Sequence, residues 1–95
     1  MENIEIKMSP YKDELQIWID GEKAGCMSTE IDGRILTVYY TKLDPQYEGK
    51  GYAKMLLDHL LKYAEDNDLL IAPECPFTLQ QFEHNPEKYK DVWNN

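Results

Sequence analysis

The chain has 95 residues, 42% of them apolar and 29% charged, with a net charge of −8. That length holds one domain and one modest core, and the composition is that of a folded protein rather than a disordered one. The acidic balance excludes nucleic acid as a general partner, because neutralising phosphates takes clustered Lys and Arg, and every apolar run is far shorter than a membrane-spanning helix needs.

The start, Met1-Glu2-Asn3-Ile4-Glu5, has no signal-peptide pattern, so a cytoplasmic protein is expected. Ile4, Ile6 and Met8 alternate with Glu5 and Lys7, the period of a half-buried strand. Ser9-Pro10 ends it. Glu14 to Asp20 reads as a second strand, with Leu15, Ile17 and Ile19 on one face and Trp18 on the other. Asp20-Gly21 predicts a two-residue hairpin turn. Lys23 to Ile31 is a third strand, and Asp32-Gly33 turns the chain again. Arg34 to Lys42, rich in β-branched and aromatic residues, is the fourth. Two Asp-Gly turns at this spacing predict an antiparallel meander. The join Asp44 to Lys54 follows. Tyr52, Met55, Leu56, His59, Leu60, Tyr63 and Ala64 then recur at steps of three and four, which predicts an amphipathic helix ending at Asn67. Leu69 to Ala72 reads as a buried strand, laid parallel to strand four by a right-handed crossover. Thr78 to His84 and Pro86 to Trp93 read as short helices. The expected fold class is α+β (α/β). Residues 1–95 form a single domain: a mostly antiparallel sheet, one main helix after strand four, a parallel strand five and short C-terminal helices.

The join carries the first functional signal. Gly49-Lys50-Gly51-Tyr52-Ala53 sets small residues at alternate positions where a strand passes into a helix. Such a turn presents unpaired N–H groups at the positive end of a helix, a site for phosphate or pyrophosphate. It is neither a Walker loop nor the Gly-x-Gly-x-x-Gly dinucleotide pattern, since Lys54 occupies the third glycine position. Gly-x-Gly alone is equally the mark of a tight connection.

Cys75 is the second signal. It follows the fifth strand and precedes Pro76, whose ring suits the first position of a helix. A thiol at a helix N-terminus has its thiolate stabilised, and the thiolate is the nucleophile. Cys75 is therefore either a reactive group or a buried structural thiol. Cys26, mid-strand, reads as structural, and the two cysteines lack metal-ligand spacing, so no metal is expected. His84 has the pKa range of a general base, though it also precedes a helix-start pattern at Asn85-Pro86. His59 reads as a boundary histidine of the main helix, and Glu48 and Glu74 as carboxylates that either serve as bases or are simply solvated. If strands four and five run parallel, the glycine turn and Cys75 share the carboxyl edge that ligands favour in such sheets.

The turn resembles the acyl-CoA pyrophosphate loop of the GNAT acetyltransferases, written Gln/Arg-x-x-Gly-x-Gly/Ala. Gly51 and Ala53 match its last two positions, and Glu48 stands where Arg or Gln is usual. A second run, Pro73-x-Cys75-Pro76-Phe77 followed by His84-Asn85-Pro86-Glu87, is similar to that of one short single-domain branch, the YjdJ-type predicted acetyltransferases. The resemblance spans about Gly21 to Trp93. It implies acetyl transfer from acetyl-CoA (or binding of CoA) with an amine acceptor, small molecule or protein. Gly49, Lys50, Gly51, Tyr52, Ala53 and Lys54 would hold the pyrophosphate. The edge of strand four at Val38, Tyr39, Tyr40 and Thr41 would bond the pantetheine arm where strands four and five splay. Cys75 would be the reactive group and His84 a candidate base. No nucleic-acid or membrane partner is expected, and the protein would be a monomer or weak dimer. A CoA-binding module without catalysis and a plain interaction domain are the alternatives.

Overall fold

A computed structural model describes residues 2–94. Strands β1 (Ile4–Met8), β2 (Glu14–Ile19), β3 (Glu22–Asp32) and β4 (Ile35–Leu43) pair antiparallel in chain order. Helix α1 (Tyr52–Asp66) crosses over to β5 (Leu70–Pro73), which lies parallel to β4 at the end of a five-stranded sheet. Helices α2 (Pro76–His84) and α3 (Pro86–Tyr89) close the chain. Among the described residues no helix is long and apolar enough to cross a membrane.

The two hairpin turns follow from their residues. Asp20 and Gly21 both take positive φ, +51° and +85°, as a type I′ turn requires. At the next hairpin only Gly33 is positive, at +60°, and Asp32 stays paired with Ile35, so the loop is Gly33-Arg34. That is one residue beyond the expected Asp32-Gly33.

The core lies on one face of the sheet. Leu15, Ile17, Ile19, Met27, Leu36, Val38 and Ile71 meet Leu56, Leu57, Leu60 and Ala64 of α1. The buried stripe of α1 is rotated from the expected one: Leu57 is fully buried, while Met55 is 37% exposed and His59 lies in solvent. Both periods fit the sequence, and contact with β2 and β4 decides between them. Trp18, on the opposite face, is sheltered by its own neighbours. Its Nε1–H donates to Gln16 Oε1 at 3.0 Å, and Lys7 Nζ sits 4.9 Å above its ring.

The last helix is shorter than expected. After Tyr89 the chain leaves the helix and returns to the free edge of β5. There Ile71 N–H donates to the Val92 carbonyl at 2.6 Å, and Asn94 N–H donates to the Ile71 carbonyl at 2.8 Å. An unpaired strand edge is thereby covered. Phe82, Tyr89 and Trp93 cluster over it, with ring centroids 4.5 and 5.4 Å apart.

Candidate active site

Two features bring the carboxyl end of β4 to one place. The first is the join. Asp44 leads into a single 3-10 turn, Pro45–Tyr47, and Gly49 and Gly51 then take φ of +78° and +84°. Gly51 is the N-cap of α1 in a left-handed conformation that residues with a Cβ adopt at a cost. The first helical bond runs from Met55 N–H to the Gly51 carbonyl at 3.2 Å. The N–H groups of Gly49, Lys50, Gly51, Tyr52, Ala53 and Lys54 therefore find no acceptor among the described residues. A Cβ on either glycine would meet nothing within 4 Å, so both glycines border open space. No acidic side chain lies in the first turn of α1 to compete for them. Lys50 is exposed, whereas Lys54 is held by Asp58 at 3.0 Å.

With Gly51 as the N-cap, the resemblance falls into a better register. Gln46, Gly49 and Gly51 fill all three fixed positions of Gln/Arg-x-x-Gly-x-Gly, and the apparent departure at Glu48 disappears. Gln46 is exposed beside the join, and its sequence signal is the same pattern read two residues earlier. Tyr52 contributes its N–H alone, since its ring is buried and its hydroxyl donates to the Glu2 carboxylate.

The second feature is the divergence of β4 and β5. They pair only from Ile35↔Leu70 to Val38↔Pro73. The Val38 carbonyl then accepts from Cys75 N–H at 2.8 Å, which closes the pairing. Beyond that point the β5-side edge of Tyr39 to Leu43 has no strand neighbour. Val38 itself is fully buried with its carbonyl used, so it drops out as a free cofactor contact. In β3, Thr29 pairs with Val38 and Ser28 with Tyr40, which leaves Tyr39 as the extra residue of a β-bulge. Strand alternation predicts opposite faces for Tyr39 and Tyr40. The bulge instead exposes both, at 44% and 49%. The Tyr39 hydroxyl donates to Glu30, which holds its proton more tightly than usual.

Cys75 stands at the divergence, as the N-cap of α2. It is 1% exposed, so its sulfur is not open to solvent as a reactive thiol would be expected to be. Its Sγ lies 3.2 Å from Thr41 Oγ1. Burial pushes the thiol up, but the Thr41 hydroxyl, the N–H and hydroxyl of Thr78 and the N–H of Phe77 outweigh it, and the net direction is down. Cys26 behaves oppositely: burial, then the Glu14 charge, push its thiol up. Cys26 lines a cavity of about 280 Å³ with Glu14, Lys23, Tyr40, Lys42 and Asp44, the first residue of the join.

The structure separates His84 from this group. It is exposed and ends α2, about 12 Å along the helix axis from the end that carries Cys75. It cannot act as a base on that sulfur. Glu48 and Glu74 are exposed. A cavity of about 430 Å³ lies by Arg34, Asp68 and Lys88 at the amino end of β4, the far end of the strand from the glycine turn.

Comparison with known proteins gives a family match and several structural likenesses. A family model described as GCN5-related N-acetyl-transferase matches residues 14–92. No curated protein sequence matches the chain. A GCN5-like putative N-acetyltransferase from Staphylococcus aureus, solved by NMR, aligns with 98% of this chain and 90% of its own, at 24% identity and a TM-score of 0.73. The ribosomal-protein-S18-alanine N-acetyltransferase from Escherichia coli aligns at 23% identity and TM-score 0.59, over 63% of this chain but 39% of its own. The N-acetylglutamate synthase from Neisseria gonorrhoeae, complexed with coenzyme A and N-acetyl-glutamate, aligns at 18% identity and TM-score 0.56, over 65% of this chain and 15% of its own. These likenesses show a shared fold. The chain spans well under half the length of the latter two enzymes.

Proposed function

The chain belongs to the GCN5-related N-acetyltransferase family, and from that premise we propose that it transfers the acetyl group of acetyl-CoA to an amine. The observation that carries the reading is the run of free N–H groups from Gly49 to Lys54, set beside a strand pair that opens toward a buried thiol.

Bound acetyl-CoA supplies an acetyl group already activated as a thioester. Gly49 to Lys54 hold its pyrophosphate on their amides, at the positive end of α1, and exposed Lys50 adds charge. The free edge of Tyr39 to Leu43 offers main-chain groups to the pantetheine arm, which directs the thioester toward the Val38–Cys75 junction. Cys75 takes the proton from the attacking amine and returns it to the departing CoA sulfur, as the carbon–nitrogen bond forms and the carbon–sulfur bond breaks. Transfer is direct, because a thioester needs no second thioester to be activated.

We place the protein in the cytoplasm, as a monomer or weak dimer that acts on a small-molecule or protein amine. Two unpaired cysteines support the compartment, and a net charge of −8 suits a cationic acceptor. Calorimetry tests the reading: acetyl-CoA and CoA bind, and neither ATP nor NAD displaces them. Turnover with a panel of amines then separates an enzyme from a CoA-binding module. A chain that binds no CoA has glycines that only turn it.

A further inference from the structure

The two edges of the sheet end differently. At β5 the returning chain, through Val92 and Asn94, takes up the outer groups of Ile71. At β1, the other outermost strand, nothing does so among the described residues. Open edges are commonly defended by Pro or by a bulge. Ile4–Met8 contains no Pro, and its pairing with β2 runs without a register shift. What it carries is one Glu and one Lys, both exposed, between three apolar residues.

The register shows which main-chain groups are free. Asp20 N–H donates to the Asn3 carbonyl at 2.8 Å, and Ser9 N–H donates to the Glu14 carbonyl at 2.9 Å, just beyond either end of β1. Glu5 and Lys7, opposite Trp18 and Gln16, fall on the same alternation. The N–H and C=O groups of Ile4, Ile6 and Met8 therefore point away from β2, into the open edge. A second copy's β1, arriving antiparallel, would have to set its own Ile4, Ile6 and Met8 against these. Charge then chooses among the registers that remain. Centring the pair on Glu5 sets Glu5 against the second copy's Glu5, and centring it on Lys7 sets lysine against lysine. Like charges directly opposite are destabilising. Centring it on Ile6 sets Ile6 against Ile6, Ile4 against Met8, and Glu5 against Lys7 on both sides of the axis. The two Glu–Lys pairs then occupy the non-hydrogen-bonded positions, where side chains approach most closely.

We infer that the chain forms a two-fold dimer through β1, with Ile6 on the axis, so that two five-stranded sheets become one. Ile4, Ile6 and Met8 are half-buried against the core of their own chain. The second copy covers more of them, beside a groove of about 330 Å³ where Ile6 faces Met55 of α1. A strand of five residues spans only about 17 Å, and a net charge of −8 on each copy opposes association. The dimer is therefore weak, at the small end of specific interfaces. Nothing in this inference rests on the acetyl-transfer reading.

Sedimentation equilibrium of the full chain, from low micromolar to millimolar, reads the association. The mass should rise toward two chains, and amide hydrogen exchange should slow at Ile4, Ile6 and Met8 as concentration rises. Lys7→Glu sets Glu against Glu and weakens the dimer at least about tenfold; Glu5→Lys does the same with lysines. Mixed together, these two single variants associate again. The double variant Glu5→Lys/Lys7→Glu, with the parent's net charge, dimerises by itself. Circular dichroism checks that each variant is folded; if the single variants are not, slowed exchange at Ile6 in the parent decides. A chain that stays monomeric throughout overturns the proposal and leaves the edge to an extended peptide or to solvent. A dimer as tight in Lys7→Glu as in the parent, or single variants that stay apart when mixed, overturns it as well.

Discussion

Replacing Gly51 by Ala separates a cofactor site from a tight turn. Gly51 holds φ of +84° at the N-cap of α1, and a Cβ there would meet nothing within 4 Å. The cost to folding is therefore conformational strain alone, about 1 kcal/mol. Gly33 provides the matched control. It too has a positive φ, +60°, and an open Cβ position, but it lies at the hairpin before β4, at the other end of the strand. Gly33→Ala should lose a similar amount of stability in urea. The two variants differ in what the new methyl group faces. On the proposed binding mode, the methyl group at residue 51 crowds an anion held on the adjoining unpaired amides. A hydrogen bond to a charged group contributes roughly 1.5–3 kcal/mol, so spoiling one weakens acetyl-CoA binding at least about tenfold. Calorimetry on both variants, at temperatures where both are folded, gives the answer. Equal affinity in Gly51→Ala and the parent would place the pyrophosphate elsewhere and refute the reasoning.

Four further outcomes follow. Lys50→Ala costs less affinity than Gly51→Ala, about 1 kcal/mol or below, and the loss shrinks with added salt, because Lys50 is exposed; calorimetry at two ionic strengths measures it. Gly25→Ala destabilises the fold by about 2 kcal/mol in urea titrations, since its Cβ would lie 2.3 Å from the Lys42 carbonyl oxygen and 2.6 Å from Leu43. Tyr52 is pushed up to about 12 by its bond to the Glu2 carboxylate; the folded value exceeds the unfolded value of about 10, so the pair's stabilisation is full below pH 10, is lost by about pH 12, and disappears in Glu2→Ala, as tyrosinate absorbance and urea unfolding at alkaline pH will show. Cys75→Ala abolishes acetyl transfer while CoA binding persists, with no acetyl adduct on Cys75 in the parent by mass spectrometry; persistent transfer would remove the thiol from the chemistry, and an adduct would make it an acyl carrier.

The meander, α1 and parallel β5 were legible because each rests on local chemistry: two Asp-Gly turns, one change of hydrophobic period and a short apolar strand. The features that depend on distant partners were not. The bulge at Tyr39 arises from the mismatch of two strands at Ser28 and Thr29, and nothing around residue 39 announces it. Leu57 and Met55 both suit a helix face, and only the sheet beneath chooses Leu57. Val92 and Trp93, after Tyr89, suit a helix as well as a strand edge, and the unpaired edge of β5 draws them off. At the site, the glycine turn and Cys75 were legible from spacing and from Pro76. His84 was misplaced because closeness in sequence says little across a nine-residue helix, whose two ends lie far apart. Thr41 was legible only as a main-chain contact of the strand edge; that its hydroxyl lies 3.2 Å from the Cys75 sulfur is something only the fold brings about.

The central claim is that acetyl-CoA lies with its pyrophosphate on Gly49 to Lys54 and its acyl end at Cys75. Backbone-amide NMR titration of the full chain with acetyl-CoA tests it residue by residue. The account predicts that the largest shifts fall in two groups, the amides of Gly49 to Lys54 and those of Tyr39 to Thr41 with Cys75 to Thr78, and that ATP and NAD do not reproduce the second. Shifts centred on the cavity around Arg34 and Lys88, with Gly49 to Lys54 unmoved, would contradict it.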